Sequence, residues 1–193
     1  LAALFHDVGK PENARWEYKR GRMVITSSGH DISSAKITKK ILDRLKIFSW
    51  NGYDLRKLIP SLIGCHHRAS ELWQNREVVT KKAFNRLAAD VGGEIELLVY
   101  LDAADRAGRT EEPLKGLDRQ ARWLLKKFEE LNVSKETIQP LIRGRDLIKL
   151  GVSPGPVMGK YLKKLYEMQL DNEFETMEKG LRIAKKMVDE GKT

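Results

Sequence analysis

Residues 94–107 read EIELLVYLDAADRA, and this stretch decides the fold. Ile95, Leu97, Leu98, Val99, Leu101, Ala103 and Ala104 leave almost no polar face at helical spacing. A helix that is apolar nearly all round is buried, so this one is central and others must pack about it. Asp102 and Asp105 interrupt it. An unpaired carboxylate in such a setting costs several kcal/mol, so each should be paired or bound to metal. They lie three residues apart and face a similar direction, so either could reach an ion.

Working outward, Leu55, Leu58, Ile59, Leu62, Ile63 and His66 repeat at helical spacing, with Pro60 as a kink or first-turn residue. Ile32, Ala35, Ile41, Leu42 and Leu45 form an earlier stripe, and Thr80 can cap a helix carrying Phe84, Leu87 and Ala88. Arg15–Thr26 alternates roughly about Lys-Arg-Gly-Arg, which suggests a small hairpin or flap. Downstream, Gly108 and the run Arg109-Thr110-Glu111-Glu112-Pro113 mark the clearest boundary. Beyond it, Leu117–Leu131, Val157–Met168 and Met177–Val188 each carry an amphipathic stripe, and Val152-Ser153-Pro154-Gly155-Pro156 breaks the chain between the first two. The expected fold is all-α: a helical bundle over residues 1–110 and a smaller helical tail over 111–193, with at most one short β-hairpin.

The 193 residues suffice for a substantial core without a disulfide or structural metal, and the single cysteine, Cys65, suits a reducing compartment. No apolar stretch approaches the ~20 residues that span a bilayer, and no basic-then-apolar leader opens the chain. A cytoplasmic protein without a membrane partner is expected. Lys and Arg number 36 against 27 Asp and Glu, a net charge of +9. Such an excess favours anionic partners, nucleic acid first and anionic small molecules second. The chain opens on Leu1-Ala2-Ala3-Leu4-Phe5, already apolar and without Met, so further residues are expected upstream.

All four histidines, His6, His30, His66 and His67, lie in the first 67 residues. His6-Asp7 ends an apolar segment, and adjacent residues on a helix point about 100° apart, so they can clasp one ion from two sides. Imidazole with carboxylate suits a divalent ion (Mn, Ni, Co, Fe, Zn or Mg), and two such ions would activate water and hold a phosphoryl oxygen for in-line attack. Blander readings stand beside this one. His30-Asp31 could be a helix N-terminus with Asp31 as cap, and His66-His67 a surface pair.

His6-Asp7-Val8-Gly9-Lys10-Pro11, then Gly29-His30, His66-His67 and Asp105 in order resemble the HD superfamily of metal-dependent phosphohydrolases, whose pattern is H…HD…H…H…D. The resemblance implies His6, Asp7 and Asp105 on one metal, with His30 and His66 or His67 on a second ion or the substrate phosphate. It makes Asp7 and Lys10 catalytic, Lys10 either supporting the metal ligands from behind or contacting phosphate. The pattern's first histidine would lie upstream of Leu1. Helical phase favours His66 and the family pattern leans to His67, so both stay open.

FHDVGKP, GHDISSAKITKKILDRLK and TKKAFNRLAADVGGEIELLVYLDAADRAGR are more closely similar to the HD-containing portion of bacterial tRNA nucleotidyltransferases and poly(A) polymerases. Ala104-Asp105…Gly108-Arg109 matches that family's signature and favours Asp105 over Asp102. LIRGRDLIKLGVSPGPVMGKYLKKLYEMQLDNEF resembles the same family's RNA-binding tail. This implies tRNA or other RNA as partner, held by Arg143, Arg145, Lys160, Lys163 and Lys164. A helix N-terminus beside those lysines can receive a phosphate, and it can equally be a plain helix start with a solvated face. That family's nucleotide-adding head carries an Asp-x-Asp pair which this sequence lacks, so the chain as given should not add nucleotides. Two functions follow, a metal-dependent phosphodiesterase or phosphatase and an inactive tRNA-holding body. A basic helical chain can also form a homodimer through the HD region.

Overall fold

The computed structural model describes residues 1–109, 116–131 and 139–190. The expected division between residues 110 and 111 lies outside the described residues. The chain is mostly helical, as expected. It opens with short α1 (Ala2–Phe5) and α2 (Lys10–Asn13), then strands β1 (Arg15–Lys19) and β2 (Arg22–Thr26). Helix α3 (His30–Arg44) follows, and a second ladder, β3 (Ser49–Trp50) with β4 (Tyr53–Asp54), adds to the one hairpin expected. Helices α4 (Leu55–Gln74), α5 (Lys81–Asp90), α6 (Ile95–Ala107) and α7 (Arg119–Glu130) complete the first part. The second holds α8 (Gly144–Lys149), α9 (Pro156–Leu170) and α10 (Met177–Glu190).

Helix α6 is central, packed on α1, α4 and α7, with Leu98 and Val99 fully buried. Helix α3 lies along α4, and Leu42, Ile63, Leu87 and Leu124 close the same core. Pro60 sits inside α4, which continues through it to Gln74. Helix α7 belongs to this first core through Ala121, Leu124 and Phe128, although it lies beyond the polar run.

A separate core gathers Ile142, Leu147, Met158, Leu165, Phe174, Ala184 and Val188 from α8–α10 and their loops. The two cores meet where α5 touches α9. There Asn85 donates to the Leu170 carbonyl at 3.1 Å, and Arg86 and Lys82 both pair with the buried Asp171. No described helix is long and apolar enough to cross a membrane.

Candidate metal centre

Four segments converge at one end of the first core. The turn after α1 carries His6 and Asp7, the first residue of α3 is His30, α4 supplies His66 and His67, and α6 supplies Asp105. Gly9 lets the first two approach. A Cβ there would lie 2.6 Å from the Ser34 amide nitrogen and 2.9 Å from the His30 carbonyl oxygen, so any side chain would push the turn off α3. The Gly9 amide instead donates to Ser34 Oγ at 2.9 Å. Gly29, at φ +81°, precedes His30 as the cap, and Asp31 sits in the first turn rather than capping it.

Three of the histidines are oriented alike. Nδ1 of His6 lies 2.9 Å from the Ala3 carbonyl, that of His30 2.8 Å from Ser27, and that of His66 2.6 Å from Ile63. A carbonyl oxygen only accepts, so each Nδ1 carries the proton, and in the neutral ring each Nε2 presents a lone pair to the centre. His6 Nε2 faces Asp7 Oδ2 and Asp105 Oδ1, both at 3.3 Å. His30 Nε2 faces Asp7 Oδ1 and His67 Nε2, both at 3.2 Å. His66 Nε2 is buried without any hydrogen-bond partner.

Lone pairs and anionic oxygens turned toward one another repel unless positive charge stands among them. Two groups, His6/Asp7/Asp105 and His30/His66/His67, each bring their ligand atoms within 4.8 Å of one another and could each hold a metal ion. The Asp7 carboxylate reaches toward both groups, one oxygen to each. Nitrogen and carboxylate donors without thiolate suit a first-row divalent ion or Mg²⁺.

Burial pushes the His66 imidazole down to about 4, with its histidine neighbours acting the same way, and burial and His30 lower His67. Burial works to raise Asp7, but the Lys10 hydrogen bond and the nearby His6 and His30 hold it below the usual carboxylate range. Both changes favour the deprotonated forms that bind metal.

Helix α4 brings both His66 and His67 to His30, His66 from the buried stripe and His67 from its edge. Asp102 is elsewhere. Its carboxylate accepts from Ser70 Oγ at 2.7 Å and Gln120 Nε2 at 2.9 Å and pairs with Arg106, which also bridges to Asp118. Lys10 Nζ lies 2.5 Å from Asp7 Oδ2, and Arg109 donates to Asp105 at 2.5 Å.

An open cleft of about 820 Å³ exposes this end, with Lys10, His30, His67, Asp105, Arg106 and Arg109 on its walls. Arg106 was not singled out by sequence; its i,i+4 spacing from Asp102 was the available signal. In the second part Arg143, Arg145, Lys160, Lys163 and Lys164 are exposed on the packed pair α8–α9 and lie outside the metal centre. Arg143 precedes α8, and its backbone amide donates to Asp146.

A model of the HD domain matches residues 1–110. Over 181 residues the chain is 31% identical to a CC-adding tRNA nucleotidyltransferase of Thermus thermophilus, covering 93% of this chain and 38% of that protein. Over 194 aligned residues it is 28% identical to an A-adding tRNA nucleotidyltransferase of Deinococcus radiodurans, covering 98% of this chain and 41% of the relative. The chain thus spans about two fifths of the length of the curated relatives it matches. No solved structure matches.

Proposed function

The chain belongs to the HD domain family, and from that premise we propose that it is a metal-dependent phosphohydrolase unit of a cytoplasmic, tRNA-nucleotidyltransferase-like protein. Its substrates are the phosphates of nucleotides or RNA, including 2′,3′-cyclic ends. The observation that carries this reading is the buried, unpartnered Nε2 of His66, facing a centre where other lone pairs and carboxylates already converge.

His6, Asp7 and Asp105 would hold one divalent ion and His30, His66 and His67 a second. An ion held there supplies Lewis acidity toward a phosphoryl oxygen. The protein's own groups do the rest. The Ala3, Ser27 and Ile63 carbonyls hold three imidazoles in the tautomer that leaves Nε2 free. Lys10 and Arg109 place positive charge at the cleft wall, where charge develops on a transferring phosphoryl group. Asp102 and Asp118 hold the Arg106 guanidinium from both sides, so its orientation is set before substrate arrives.

A second reading is a tRNA-holding body that does no chemistry. The +9 charge and the exposed cations of α8–α9 favour it, and it predicts RNA affinity that falls steeply with salt.

The separating experiment is metal content by mass spectrometry on protein purified without chelator, beside Asp7→Ala, followed by hydrolysis of a phosphodiester. Bound divalent ions and hydrolysis, both lost in Asp7→Ala, are expected. Metal-free wild-type protein that binds tRNA would hand the conclusion to the second reading.

A further inference from the structure

We propose that the β1–β2 hairpin is a stacking platform that receives single-stranded nucleic acid and leads it into the metal cleft. The register pairs Trp16 with Ile25 and Tyr18 with Met23, and strand alternation puts these four side chains on one face. That face is open to solvent: Trp16 is 67% exposed, Tyr18 71%, Met23 55% and Ile25 60%. Glu17 and Val24, on the opposite face, are the half-buried pair. A two-stranded hairpin is marginal by itself and would gain most by laying its large side chains on a core. Here the aromatic face is turned outward, so it contributes little to folding. A contiguous apolar patch of this kind marks a binding surface.

Charge and position select the occupant. Arg20 stands in the turn at the platform's end, and Arg15, Lys19 and Arg22 lie on the opposite face beside the single carboxylate of the strands, Glu17, which pairs with Lys19 at 2.6 Å. Exposed rings on a ribbon that carries four cations and one carboxylate suit a polymer with phosphates and π-faces, which is single-stranded nucleic acid. Trp16 and Tyr18 lie about 6.6 Å apart along the strand, a step that successive bases can follow. The platform is continuous with the cleft, because Ile25, Ser27 and Ser28 line the same cavity as Lys10, His30 and Arg109. A strand lying on the rings therefore arrives with its backbone at the metal centre. The destination rests on the phosphohydrolase reading; the platform rests on the hairpin alone.

The test uses the whole chain and a labelled oligoadenylate of about ten nucleotides, followed by fluorescence anisotropy at fixed salt. Trp16→Val/Tyr18→Val keeps strand propensity and removes both rings, whereas Trp16→Phe/Tyr18→Phe keeps two ring faces. The valine pair should weaken binding by about tenfold or more, and the phenylalanine pair should retain most of the affinity. Wild-type affinity in the valine pair overturns the proposal. So does a wild-type dimer that the valine pair converts to monomer at unchanged RNA affinity, which makes the face a subunit contact.

Metal content and hydrolysis of a small aryl phosphodiester should be the same in wild type and the valine pair. Ring-dependent binding by a chain that holds no metal and hydrolyses nothing supports the platform and removes the phosphohydrolase reading. Intact hydrolysis with ring-independent binding removes the platform alone.

Discussion

His66 is 1% exposed, and its imidazole is pushed down to about 4 from an ordinary 6.5. The sign follows from linkage. Between those values the unfolded chain binds a proton that the folded chain refuses, so falling pH favours unfolding across that window. The loss reaches about 3 kcal/mol once pH is below both values. Urea melts of chelated protein should show stability dropping between about pH 6.5 and 4, and His66→Gln should flatten that slope. A slope unchanged by the substitution would place the proton uptake on another group. Asp102 gives a second expectation at this scale. Asp102→Ala removes the buried acceptor that Ser70, Gln120 and Arg106 share, and it should cost about 3 kcal/mol while metal content holds. Asp105→Ala should do the reverse, losing metal with a smaller change in stability. The demand that both carboxylates be satisfied was legible in their apolar helix. The helix alone did not separate them, because the partners of Asp102, Ser70 and Gln120, come from α4 and α7; the Ala104-Asp105…Gly108-Arg109 signature was what favoured Asp105.

Elements show why some signals carried and others did not. The first hairpin was read from alternation about Lys19-Arg20-Gly21-Arg22, and both central residues take positive φ, as a tight two-residue turn requires. Asn51-Gly52 is a stronger turn signal of the same kind, also with two positive φ values, yet its strands have two residues each and too little alternation to be seen. Helix α4 was legible from its stripe. Its course through Pro60 was not, since a proline in a turn and one in a packed helix look alike in sequence. Gly9 joins two elements and is the sharpest test of their approach. Gly9→Ala has no room against α3 and should cost about 1–3 kcal/mol, moving the His6-Asp7 turn away from His30. Mass spectrometry and calorimetry on the variant should show metal occupancy and melting temperature falling together. A fall in stability with full occupancy would mean that the turn and α3 shift as one piece.

At the scale of the molecule, the first core and its convergent histidines belong to residues that any polar-to-apolar reading finds, whereas the coupling of the two cores was invisible. It depends on Asp171, which follows α9 and lies against Lys82 and Arg86 of α5, residues that in sequence look like an ordinary solvated face. The pairing sets where the exposed cations of α8–α9 stand relative to the cleft. Buried between two cations, the Asp171 carboxylate cancels charge that would otherwise repel across the junction. Asp171→Ala leaves Lys82 and Arg86, 46% and 42% exposed, facing each other beside the Leu170 carbonyl, and with water to screen them the loss of their shared acceptor costs about 1 kcal/mol. That loss falls on the junction alone, since the second core keeps Phe174, Leu147 and Ala184 intact. Calorimetry of wild type should therefore show one cooperative transition, and of Asp171→Ala two, the earlier one belonging to α8–α10. Metal content should not change, while the affinity for tRNA should fall if cleft and tail grip one molecule together. A single transition merely shifted to lower temperature would show that the cores are coupled through Asn85 and the surrounding packing instead, with Asp171 contributing stability but not the relative placement of the two parts.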